Sequence, residues 1–84
     1  MEAITNILKN HPLNENEQYC VYRLSPKYGW LWGYNGTYDN PSDVASVYDI
    51  LTSYPETFGV WITKESGDGT LDITIFRYER HGGH

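Results

Sequence analysis

The chain opens in a helical rhythm. Ala3, Ile4, Ile7 and Leu8 fall at the i, i+3, i+4 spacing of one apolar face, which predicts a short helix over residues 2–10. Asn10-His11-Pro12 ends it, because proline disfavours the α region for the residue before it. Residues 13–17 (LNENE) read as a polar loop. The rhythm then changes. Gln18–Leu24 (QYCVYRL) is rich in aromatic and β-branched types and predicts a strand. Residues 25–29 form a turn, and Trp30–Tyr34 is the returning strand. Asn35-Gly36 predicts the next sharp turn, since both residues tolerate positive φ.

A second helix has the clearest signature. Asn40 suits the N-cap, Pro41 the first helical position, and Asp43 the positive end of the helix dipole. Val44, Val47, Tyr48 and Leu51 form its apolar stripe, with Ile50 beside it, and Pro55 closes the segment. Phe58–Lys64 and Thr70–Glu79 predict a second hairpin around Glu65–Gly69. Strict alternation there puts Val60, Ile62, Leu71, Ile73 and Ile75 on one face. Trp61, Thr63, Asp72, Thr74, Phe76 and Tyr78 fall on the other.

The order is helix, strand, strand, helix, strand, strand. It predicts a two-layer α+β domain, a four-stranded antiparallel sheet with two helices on one face. Residues 1–80 form the single domain and residues 81–84 a flexible tail. "ITNILKNHP" (4–12) and "VYDILTSYP" (47–55) share apolar and proline positions, which suggests a pseudo-repeat of two αββ units.

Two helices leave the other sheet face to water or a partner. The sequence leaves the register of residues 30–34 open. Gly29 and Gly33 flank Leu31 on its face and suggest close approach by a cross-strand aromatic. The favoured register puts Trp30 and Trp32 under the helices. Leu31, Trp61, Phe76 and Tyr78 are then the candidate interface residues on the outer face. A large apolar patch of this kind marks an interaction surface.

Composition sharpens this picture. Three Trp, eight Tyr and two Phe argue against disorder. The net charge is −5. Between residues 39 and 72, seven acidic residues face Lys64 alone. Phosphate backbones need clustered Lys and Arg, so duplex nucleic acid is disfavoured as a partner. Asp39, Asp43 and Asp49 are candidates for steering a basic protein surface. No apolar run approaches the ~20 residues of a membrane span. The N-terminus lacks a basic n-region and a small-residue cleavage site, and Cys20 is the one cysteine, so a cytoplasmic location is expected.

Candidate chemistry is sparse. His11, His81 and His84 lack the ligand count of a metal site, and no cofactor is expected. Cys20 lies mid-strand, where cysteine is usually an inert small hydrophobe, although His11 could approach it in space. Gly67-Asp68-Gly69 precedes a strand, whereas a phosphate loop precedes a helix. The expectation is a small, acidic, non-catalytic protein-interaction module of accessory or inhibitory type. Its partner is a second copy, giving a homodimer, or a basic foreign surface. The alternative is binding of a small ligand, sugar or single-stranded nucleic acid on the aromatic face or in a dimer cleft.

Overall fold

A computed structural model describes residues 4–80, the side chains of residues 32–35 excepted. The elements are α1 (Ile4–Leu8), β1 (Glu17–Ser25), β2 (Gly29–Tyr38), α2 (Pro41–Thr52), β3 (Gly59–Ser66) and β4 (Asp72–Glu79). The four strands form one antiparallel sheet in the order β2-β1-β3-β4. Each hairpin is local, and the β1–β3 seam joins them. The two-layer α+β architecture follows. The halves share their element order, but α1 has 5 residues and α2 has 12, so the internal repeat is not established. The predicted tail, residues 81–84, lies outside the described residues.

Helix α2 forms for the local reasons its sequence carries. Asn40 is extended (φ −146°, ψ 152°), and its Oδ1 accepts from the Asp43 amide at 2.9 Å. That satisfies one of the amides a helix start leaves free. Val44, Val47 and Leu51 are buried and meet Ile4 and Leu8 of α1 over Tyr19, Val21, Val60 and Ile62 of the sheet. Both helices therefore cover the same face. The Tyr19 hydroxyl donates to the His11 carbonyl at 2.7 Å, fixing the segment after α1 to the central strand.

Strand β2 runs through the predicted Asn35-Gly36 turn. Cys20 pairs with Thr37 and Tyr22 with Trp32, so residues 33–36 stand opposite Val21 alone. This is an irregular bulge. Gly36 does take positive φ (84°), but within the strand. The chain instead leaves the sheet at Asp39-Asn40.

A second bulge corrects the outer face. Val60 pairs with Tyr78, Ile62 with Phe76, and Thr63 with Thr74, which leaves Ile75 as the extra residue. An inserted residue reverses the side of everything beyond it. Phe76 and Tyr78 therefore share the helix-covered face with Val60 and Ile62. Phe76 meets Tyr48 of α2 edge-on at 5.7 Å. The predicted interface positions Phe76 and Tyr78 belong to the core side.

The register of β2 is likewise the reverse of the favoured one. Leu31 pairs with Arg23, itself paired with Val60, so Leu31 is on the helix side. It remains 36% exposed. Trp30 pairs with Leu24 and lies on the outer face against Trp61, at 5.7 Å. The side chain of Trp32 lies outside the described residues. Gly29 has φ +80° with open space around it, so it serves the turn and not an aromatic's approach. The glycine that an aromatic does overlie is Gly59, where an added Cβ would sit 3.2 Å from Trp30 Cη2 and 2.5 Å from the Tyr78 carbonyl oxygen.

Replacing Gly59 with alanine is expected to cost about 1–3 kcal/mol, the usual range for overpacking. Gly67→Ala, whose Cβ meets Asn16 Oδ1 at 3.4 Å, stays within about 0.5 kcal/mol. Urea unfolding of the two variants checks this.

Candidate functional site on the uncovered sheet face

Tyr22 (β1), Trp30 (β2) and Trp61 (β3) form a row across three strands on the face neither helix covers. Tyr22 and Trp61 are 5.2 Å apart between ring centroids, tilted by 39°. The contact between Trp61 and Trp30 is edge-to-face at 63°. Such geometry contributes roughly 0.5–1.5 kcal/mol per pair beyond the area buried.

Arg77, from β4, crosses this row. Its Cζ lies 5.0 Å from the Trp30 ring centroid and 4.9 Å from that of Trp61. Its Nη2 also donates to Glu79 Oε2 at 2.9 Å. The guanidinium is thus held by two indole faces and one carboxylate, and the alkyl stem spans β3 to β4. Trp61 is fixed further by its indole N–H, which donates to Thr74 Oγ1 at 2.9 Å.

The row continues into a polar cluster. Glu65 Oε2 accepts from the Tyr22 hydroxyl and from Thr63 Oγ1, both at 2.6 Å. Cys20 lies beside them and is 1% exposed, while Thr63 is fully buried. Burial opposes ionisation of Glu65, but hydrogen bonds from Thr63, Tyr22 and Cys20 together outweigh it and hold its pKa below the ordinary value of 4.5. Burial, and then the Glu65 charge, push the Cys20 thiol up to about 11. Burial and the hydrogen bond to Glu65 raise the Tyr22 phenol as well. A thiol in this state is neutral near pH 7 and a poor nucleophile.

The expected site residues are therefore dispersed. Trp61 lies on the uncovered face; Leu31, Phe76 and Tyr78 do not. Tyr22, Trp30, Arg77 and Glu65 belong to the site and were not singled out by sequence reasoning. Asp39 and Asp43 come together in a cleft of about 340 Å³ with Glu17, Gln18, Thr37 and Tyr38. Both carboxylates accept from Asn40 Nδ2, at 3.1 and 2.8 Å. Asp49 is exposed further along α2 and does not line that cleft. Cys20 and His11 do not form a pair. Tyr19, which binds the His11 carbonyl, points to the helix side, and its neighbour Cys20 points to the other. Among the described residues no cluster of His, Cys, Asp and Glu is arranged to hold a metal ion. No described helix is long and apolar enough to cross a membrane. Comparison with known protein families, curated proteins and solved structures finds no match.

Two outcomes follow from the polar cluster. Because the Glu65 pKa is lowered in the folded state, its stabilising contribution is complete above about pH 4.5 and is lost as pH falls through the folded value. In Glu65→Gln the acid limb of the stability curve, measured by urea unfolding from pH 3 to 7, is flatter by that contribution. Cys20, buried and neutral, reacts with a disulfide reagent at pH 8 only as fast as the protein unfolds. Prompt reaction of the native protein would contradict the buried placement.

Proposed function

We propose that the protein is a small, non-catalytic protein-interaction module that grips its partner through the uncovered sheet face. The observation carrying this reading is the Arg77 guanidinium spread over Trp30 and Trp61. Trp, Tyr and Arg are the side chains that dominate binding hot spots, and here they already pack on one another in the free chain. Ordering before binding reduces the entropic cost of association. The polar cluster of Glu65, Thr63 and Tyr22 and the Arg77–Glu79 pair supply a polar rim to this aromatic centre.

The partner we favour is a foreign protein with a basic surface. A chain of net charge −5 repels its own copy, whereas the cleft of Asp39 and Asp43 draws a cationic surface inward. An accessory or inhibitory role suits this chemistry, because it requires affinity and no reacting group. Stacking of single-stranded nucleic acid is less well supported. Arg77 is already committed to Glu79 and two rings, and the face lacks a basic track among the described residues.

Once a binding protein has been isolated, its affinity for three variants tests the reading. Trp61→Ser and Arg77→Glu weaken binding by about 2 kcal/mol or more, roughly thirtyfold. Asp39→Lys with Asp43→Lys leaves the dissociation rate near the wild-type value. It slows association and flattens the dependence of association on salt. Unchanged affinity in both Trp61→Ser and Arg77→Glu sinks the proposal. Sedimentation velocity decides the remaining partner. A dimer lost in Trp61→Ser would make the bound surface a second copy of the chain.

A further inference from the structure

A second site lies on the other side of the sheet. The C-terminal end of α2 leaves the edge of the helix-covered face open, and a groove of about 360 Å³ forms there, lined by Arg23, Leu51, Tyr54 and Glu56. That volume falls within the range of small-molecule sites, roughly 300–1,000 Å³. Leu51 is buried at the groove wall, whereas Tyr54 is 47% exposed. Leu31 sits cross-strand from Arg23 on the same face.

Arg23 differs from the other arginines of the chain. Each of the other two arginines is engaged: Arg77 by Glu79 and the indoles, and Arg80 by the Pro55 carbonyl at 2.7 Å and the Phe58 ring at 4.6 Å. Arg23 is partly buried on a central strand, yet among the described residues its guanidinium makes no ion pair or hydrogen bond. Glu56 lines the same groove and is likewise without one. The two charges lie farther apart than an ion pair allows. A guanidinium offers five donors in a planar fork that matches a carboxylate. The carboxylate of Glu56 and the negative end of the α2 dipole both favour a cation beside the C-terminal end of α2.

We infer that the groove binds a zwitterionic α-amino acid with an apolar side chain. Arg23 receives the ligand carboxylate, Glu56 its ammonium, and Leu51 and Tyr54 contact its side chain. A simple anion meets Glu56 as a like charge, and a simple cation meets Arg23. A ligand carrying both charges on one carbon satisfies both. This site shares no residue with the aromatic row, so the inference stands apart from the proposed protein partner.

The test is a titration of 15N-labelled protein followed by NMR, with L-phenylalanine as the probe. Two analogues each lack one charge: 3-phenylpropanoate has no ammonium and 2-phenylethylamine has no carboxylate. Phenylalanine should give saturable shifts at Leu51, Tyr54 and Glu56 at millimolar concentration or below. Either analogue, and either of the variants Arg23→Gln and Glu56→Gln, should bind about tenfold more weakly or worse, the scale of one lost charge-assisted hydrogen bond. The amides of Val21 and Val60 report whether each variant is folded. Should Arg23→Gln fail to fold, Glu56→Gln, at an exposed position, carries the comparison together with the analogues. Absence of saturable shifts overturns the inference. So does equal binding of either analogue, unchanged binding by folded variants, or shifts centred on Trp30 and Trp61.

Discussion

Strand β1 is hydrogen-bonded along both edges and buried on both faces, and the rest of the molecule is arranged to make that tolerable. Val21 is fully buried toward the helices, and its neighbour Cys20 is 1% exposed on the opposite side. Two short helices can supply only one of those covers. The other comes from the sheet's own side chains, Trp30 and Trp61 with the arginine laid over them and Glu65 with its two hydroxyl donors. The aromatic row is thus a structural lid as well as the candidate binding surface. Its two roles are compatible because a lid of rings and a held guanidinium still presents a flat, half-exposed top.

The second helix was legible in the sequence because its determinants are local. Asn40, Pro41 and Asp43 act within one turn of one another, and the apolar stripe follows at fixed spacing. The layer architecture was also legible, since two amphipathic helices and two hairpins have few other arrangements. The faces of the strands were not. Alternation predicts sides only while pairing stays regular, and each hairpin contains a bulge. Ile75 is indistinguishable from its neighbours in type, yet as the extra residue it returns Phe76 and Tyr78 to the core. In β1, both faces carry apolar residues because both are covered, so QYCVYRL offers no contrast from which to orient Trp30.

The same limitation hid most of the candidate site. Arg77 is one of three arginines scattered through the sequence, and its importance depends on β3 and β4 bringing it over two indoles from distant segments. Glu65 reads as the first residue of a turn. In the fold it lies within β3, opposite Asp72, and its carboxylate reaches back over β1. The acidic residues were easier. Asp39 and Asp43 lie close in sequence and flank one helix start, so their convergence follows from the helix alone.

The β1–β3 seam has a consequence for how the chain reaches this state. Each hairpin and α2 can form from neighbouring residues, but the seam aligns Glu17 with Ser66 and Leu24 with Gly59, across the intervening β2 and α2. Closing it costs the entropy of the loop that holds β2 and α2 before pairing rewards it. The topology therefore places the longest-range strand pairing at the middle of the sheet, where two half-formed hairpins would otherwise expose their hydrogen-bonding edges. Such an arrangement has a higher contact order than a helical bundle of equal size and belongs with the slower-folding mixed domains. Until the seam closes, each hairpin is an open template for another chain.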